Sequence, residues 1–280
     1  MALFRTLASF FESCTMKTNL LNRRTLIVAA VGLPLLSVHA QVNDLGDAIN
    51  KAGRQRMLSQ RMGKAWLALV HKTESAAAQG VLDKSMALFD RQLVELKAYA
   101  PSNDIRDTYV KLEGAWSDYK TALVGVTPGK PGAAAVLQAD ARVLALAHQG
   151  TEQYEAASGR PVGKLVNVAG RQRMLSQRMA KFYFAATLPV DASTAATEIG
   201  KARTEFLSAM DLLRKAPEAT DRIRDELKLA DGQWFFFDQA LQRMQSAGAS
   251  PKPLSDVFVT SENLLSVMDR VTGLFAAIKT

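Results

Sequence analysis

The sequence holds a single cysteine, Cys14, within its first forty residues. From residue 41 onward it has no means of forming disulfides, thiolate metal sites or a covalently attached c-type haem, a composition suited to an oxidising compartment. Histidine is scarce as well. Only His71 and His148 follow residue 40, and neither belongs to the Glu-x-x-His pairs of di-metal helical bundles. His148 and Glu152, four apart, read as an ordinary helical surface pair. No glycine-rich phosphate loop or nucleophile elbow appears. With these absent, an enzyme is the weakest class of reading, and neither cofactor nor metal is expected. Aromatics are few, at 7%. The net charge of +8 contains no Lys/Arg run and no basic stripe interleaved with aromatics, which argues against nucleic acid as a partner.

Long hydrophobic runs are also missing. The one apolar stretch of note, Thr25 to Val38, is interrupted by Pro34, preceded by Asn22-Arg23-Arg24 and followed by Val38-His39-Ala40. This is the layout of an export signal over residues 17–40 with cleavage near Ala40, and it implies a periplasmic chain beginning near Gln41. Arg23-Arg24 fits a twin-arginine signal as well as an ordinary secretory one, and Met16 is an alternative start. No later segment is apolar for the length of a membrane span.

What remains is rich in helix formers and punctuated by proline. Pro101, Pro128, Pro131, Pro161, Pro189, Pro217, Pro251 and Pro253 separate segments dominated by Ala, Leu, Lys, Arg, Glu and Gln, with little β-branched alternation. Helices are predicted over 43–78, 81–99, 103–125, 133–158, 162–187, 192–215, 218–247 and 254–278. Ser102-Asn103-Asp104 and Asp191-Ala192-Ser193 offer N-caps, while Gly80 and Gly248 are placed to end helices. The fold class is all-α, as two tandem four-helix up-down bundle repeats over 41–160 and 161–280, divided at Gly159-Arg160-Pro161.

The division follows from an internal duplication. Ala52 to Lys64, AGRQRMLSQRMGK, returns as AGRQRMLSQRMAK at Ala169 to Lys181, agreeing at twelve of thirteen positions at a spacing of 117 residues (169 minus 52). Glu113-Gly114-Ala115-Trp116 and Asp231-Gly232-Gln233-Trp234 extend the match, so the repeat spans four helices. On a helical wheel with Leu45 at zero, Ile49, Ala52, Leu67 and Val70 form an apolar stripe, and Arg56 falls inside it at about 20°. Arg173 takes the same place in the second copy. A guanidinium facing a core must meet a carboxylate, helix-end carbonyls or a bound anion, because an unmatched buried ion costs several kcal/mol. Its planar fork of donors suits planar oxyanions. Gly53 and Gly170 permit close approach, and Ser59, Gln60, Ser176 and Gln177 offer further polar groups for a small pocket. Arg54 and Arg171 lie on the more polar side as secondary candidates. Met57, Leu58 and Met62 read as core.

The motif Ala-Gly-Arg-Gln-Arg-Met-Leu-Ser-Gln-Arg-Met resembles the signature of the PilJ-type domain, the N-terminal domain of type IV pilus chemotaxis transducers. That domain is similar to the periplasmic sensor domain of nitrate/nitrite sensor kinases. In those sensors an arginine three residues after a glycine binds the anion from each of two subunits across a symmetry axis. The resemblance implies the same role for Arg56 after Gly53 and Arg173 after Gly170, with nitrate or nitrite as the leading ligand. Arg54 and Gln55 stand where the nitrate sensors carry small and apolar residues. The expectation is a periplasmic sensory protein that binds a small oxyanion between its two signature helices and signals through a periplasmic or membrane-receptor partner. It would be a monomer with pseudo-two-fold symmetry or a homodimer. The alternative is a helical interaction scaffold of a chemotaxis or type IV pilus system, with the arginines paired to acids such as Asp107, Glu113 or Asp225.

Overall fold

The computed structural model describes residues 41–188, 192–243 and 251–279. The export signal, Cys14, Gly248 and the Asp191 cap lie outside them. Within them the chain forms α1 (Leu45–Val70), α2 (Ser75–Tyr99), α3 (Asn103–Val124), α4 (Ala133–Ser158), α5 (Pro161–Ala186), α6 (Ala192–Lys215), α7 (Asp221–Gln242) and α8 (Pro251–Ala276). A short 3-10 turn over Lys130–Gly132 leads into α4. The chain is all-α, with no strand among the described residues.

Local chemistry sets the helix ends. Asp44, Ser102 and Thr220 each accept from the backbone N–H three residues on, at 2.8, 3.3 and 3.3 Å, and so cap α1, α3 and α7. Thr220 thus starts α7 at Asp221 rather than at 218. Pro161 opens α5, where its missing N–H is no loss. Gly159 closes α4 in the left-handed region at φ 60°, leaving only residues 159 and 160 between the halves.

The predicted first helix to residue 78 is corrected. It ends at Val70, and the chain reverses through Lys72 and Glu74, both at positive φ, while the Thr73 N–H reaches back to Ala68 O at 2.9 Å. Nothing in a Lys-Thr-Glu sequence announces left-handed residues. Gly80, expected to end a helix, instead lies inside α2, where no atom crowds the place of a Cβ.

The two signature helices form the centre. α1 packs on α2, α4 and α5; α5 packs on α1, α6 and α8; α3 lies on α4 and α7 on α8. Each half has the same neighbours, and one continuous core runs through both. The duplication reaches the aromatics, with Phe89 stacked on Trp116 at 4.3 Å and Phe206 on Trp234 at 4.5 Å. Because α1 and α5 are covered on nearly every side, their polar residues are enclosed with the apolar ones: Gln55, Arg56, Ser59, Gln60 and Lys64, and in the second copy Gln172, Arg173, Ser176, Gln177 and Lys181, are buried.

Candidate functional site

The side chains of Arg56 and Arg173 have no exposed surface, and they meet where α1 crosses α5. The Nη2 atoms of both guanidiniums lie within 3.5 Å of where a Cβ on Gly53 would stand and within 3.8 Å of the equivalent point on Gly170. The Gly170 Cα itself is 3.9 Å from that Gly53 position. The glycines therefore let two backbones and two guanidiniums share one crossing. Each arginine reaches over to the opposite half. Arg56 Nη2 donates to Asn167 Oδ1 at 2.6 Å and Asn167 O at 3.3 Å, and Arg173 Nη2 donates to Asn50 O at 3.0 Å.

The pair is symmetric in position and asymmetric in charge. Arg173 forms an ion pair with Asp269 of α8, which also takes Arg54 at 2.9 Å. Arg56 instead donates through Nη1 to His148 Nδ1 of α4 at 3.2 Å, and both its hydrogen-bonding residues, Asn167 and His148, are uncharged amide and imidazole. The Nε atoms of both arginines are buried without a partner. Burial lowers the pKa of Arg56 to about 9, with Arg171 and Arg173 adding to the effect. It stays protonated at neutral pH with no carboxylate in direct contact; Glu155, which accepts from the Asn167 amide, and Glu152, beside His148, favour its charge through those neutral groups. Burial and Arg56 also push the His148 pKa below the usual value. The ring is neutral at pH 7, Nδ1 accepts from Arg56, and Nε2 carries the proton toward Glu152 Oε1 at 3.3 Å.

The remaining signature residues make clamps. Ser59 and Ser176 donate to the carbonyls of Arg56 and Arg173, three residues earlier, each at 2.9 Å. Gln60 donates to Asp140 of α4 at 2.6 Å and Gln177 to Ser261 O of α8 at 2.9 Å. Lys64 pairs with Glu262 at 2.6 Å, and Lys181 with Asp140. The glutamines and lysines thus hold α4 and α8 against the central pair, while the serines stay on their own helices. Arg61 pairs with Glu262, Arg171 with Glu205 and Arg178 with Glu198.

The acids named from sequence as partners for the buried arginines are corrected. Glu113 pairs with Lys97 and Asp225 with Lys228 on the surface, and Asp107 is exposed. Asp269 and His148 hold those places, and they escaped sequence reasoning because α4 and α8 meet the signature only through tertiary packing.

Beside the crossing, α4, α5 and α6 border an open-sided groove of about 360 Å³, lined by the apolar Leu144, Met174 and Leu175, by His148 and Arg171, and by Lys201, Glu198 and Glu205 of α6.

The family model described as type IV pili methyl-accepting chemotaxis transducer N-term, PilJ, matches residues 38–149 and again 154–260. The chain belongs to this family. It carries two tandem PilJ regions, each containing one signature helix, α1 or α5. A PilJ domain is a signalling and sensory module of the chemotaxis-transducer type rather than an enzymatic one. No curated protein and no solved structure matches the chain. No described helix of this PilJ pair is long and apolar enough to cross a membrane.

Proposed function

We propose that this PilJ-family protein is a periplasmic sensor that binds a small oxyanion at the α1–α5 crossing, nitrate or nitrite being the leading candidates, and passes the signal to a receptor partner. The reading is carried by one observation: Arg56 is completely buried, charged at neutral pH and in contact with no carboxylate. A buried cation in that state is costly, and a planar monoanion bridging the two Nη2 groups supplies a direct counter-charge; the guanidiniums must part to admit it, because they already stand 3.2 and 3.5 Å from where a Cβ on Gly53 would be. Nitrate and nitrite suit the position because they are small and planar. Export rests on the signal-like residues 17–40, and N-terminal sequencing of the secreted chain checks it.

Thermal shift and titration calorimetry of the full chain with nitrate, nitrite, chloride and sulfate test the site. The expected result is a rise in stability with the planar monoanions, about 2.7 kcal/mol at a hundred times the dissociation constant. Arg56→Ala should lose it. Absence of heat for every anion, with Arg56→Ala indistinguishable from the parent, would remove the sensing role.

The second reading is a helical interaction module without a small ligand. The Arg173–Asp269–Arg54 network favours it, since there the protein neutralises its own buried arginine. Under that reading Arg56→Met leaves partner capture intact and anions have no effect.

A further inference from the structure

The duplicated halves provide an internal comparison at the place where they differ. Asp140, His148 and Thr151 on α4 correspond to Ser261, Asp269 and Thr272 on α8 at a common offset of 121 residues (261 minus 140, 269 minus 148). The contacts bear out this register. Gln60 meets Asp140 as Gln177 meets Ser261, and Thr151 and Thr272 each donate to the carbonyl four residues earlier at 2.7 Å. In this register Arg54 and Arg171 are equivalent, as are Arg61 and Arg178, and Glu262 corresponds to Ala141.

On the α8 side, two carboxylates fill the groove beside the signature helix. Asp269 draws in Arg54 and Arg173, and Glu262 draws in Arg61 and Lys64. On the α4 side those carboxylates are replaced by the imidazole of His148 and the methyl of Ala141. The equivalent arginines turn outward, Arg171 to Glu205 and Arg178 to Glu198 on α6. What remains is the open-sided groove of about 360 Å³ between α4 and α6, over α5. Its volume is at the lower end for small-molecule sites. His148 lines it and touches Arg56 behind.

We propose that this groove binds a small organic carboxylate, its apolar body on Leu144, Met174 and Leu175 and its carboxylate against His148 and Arg171, where the other half carries its own Asp269. The head group accepts the Nε2 proton of His148 in place of Glu152, whose side chain is 60% exposed and free of the core. Arg56, hydrogen-bonded to Nδ1 of the same ring, supplies the charge. Glu205 occupies only the Nε and Nη2 edge of Arg171, so the guanidinium keeps donors for a second carboxylate. The inference rests on the reading of Arg56 as a charge awaiting an anion. It adds the class of ligand and the route of entry.

Titration calorimetry of the full chain with acetate, benzoate and nitrate decides the matter, alongside Ala145→Trp at the exposed groove rim, His148→Asp and Ala141→Glu. Benzoate should bind at least tenfold more tightly than acetate. Ala145→Trp should weaken benzoate at least tenfold and leave nitrate unchanged, while His148→Asp and Ala141→Glu, which restore the acids of the other half, should abolish benzoate binding in a chain that still melts cooperatively. Benzoate binding no tighter than acetate, or indifferent to all three substitutions, overturns the proposal. Nitrate binding without benzoate removes the groove and leaves the oxyanion site; benzoate without nitrate does the reverse; neither binding removes both.

Discussion

At the scale of single residues, the decisive contrast is Asp269 against His148. Burial alone would raise the Asp269 pKa, but Arg173 and Arg54 outweigh it and hold the carboxyl at about 2. Glu262 is held at about 2 in the same way, by Lys64 and Arg61 against burial. Both native values lie below the ordinary carboxylate range, so the unfolded chain binds more protons between the two. The stability these groups contribute is complete above pH ~5 and is lost as the pH falls toward 2. Asp269→Asn should make the decline shallower and leave Arg173 buried without its counter-ion. The expected loss at pH 7 is about 2–4 kcal/mol, below the upper end for removing one partner of a buried pair, because Asp269 itself is 43% exposed. Urea melts between pH 7 and 2.5 measure both effects, and an unchanged midpoint at pH 7 would mean that Arg173 does not depend on its acid. That Arg56 and Arg173 point inward was legible from the helical wheel. Which residue faces each, Asp269 for Arg173 and His148 for Arg56, was not, since a pairing about a hundred residues away in sequence has no periodicity to betray it.

At the scale of elements, glycine separates two roles. Gly114 and Gly232 sit exposed inside α3 and α7, with no atom within 4 Å of the point where an added methyl would stand, and alanine there should stabilise by about 0.8–1 kcal/mol through helix propensity. At Gly53 the same methyl would stand 3.2 Å from Arg56 Nη2 and 3.5 Å from Arg173 Nη2. The anchored Arg56 guanidinium would have to give way while Arg173 stays in ordinary contact, and overpacking of this kind costs about 1–3 kcal/mol. Thermal melts should therefore show Gly114→Ala and Gly232→Ala rising and Gly53→Ala falling; a rise at Gly53 would show the crossing to be looser than its geometry. The helices themselves were readable from proline spacing and residue type, and the bounds at Asn103, Ala133, Ser158 and Lys215 match to the residue. The break after Val70 was not readable. It depends on Lys72 and Glu74 accepting left-handed backbone so that α2 can fold back onto α1, a demand set by packing rather than by local preference.

At the scale of the whole molecule, the duplicated chain allows something an assembly of identical subunits cannot: one half neutralises its arginine internally while the other leaves its arginine without a carboxylate. Separating the halves should expose this division. Each isolated half would leave the central face of α1 or α5 uncovered, and the shortest remedy is a two-fold pairing of identical signature helices. Two copies of 161–280 would bring Asp269 to both Arg173 and Arg171 and Glu262 to both Arg178 residues. Two copies of 41–160 would place His148 beside each Arg56 and Ala141 beside each Arg61, with no acid for either. The second half should therefore form the more stable homodimer, and the first should gain most from added monoanion or from His148→Asp. Light scattering coupled to size exclusion, followed by melts at matched concentration, compares them directly. Equal stability of the two dimers, or monomeric halves that melt like the full chain, would show that the α1–α5 crossing is not where the charge asymmetry acts.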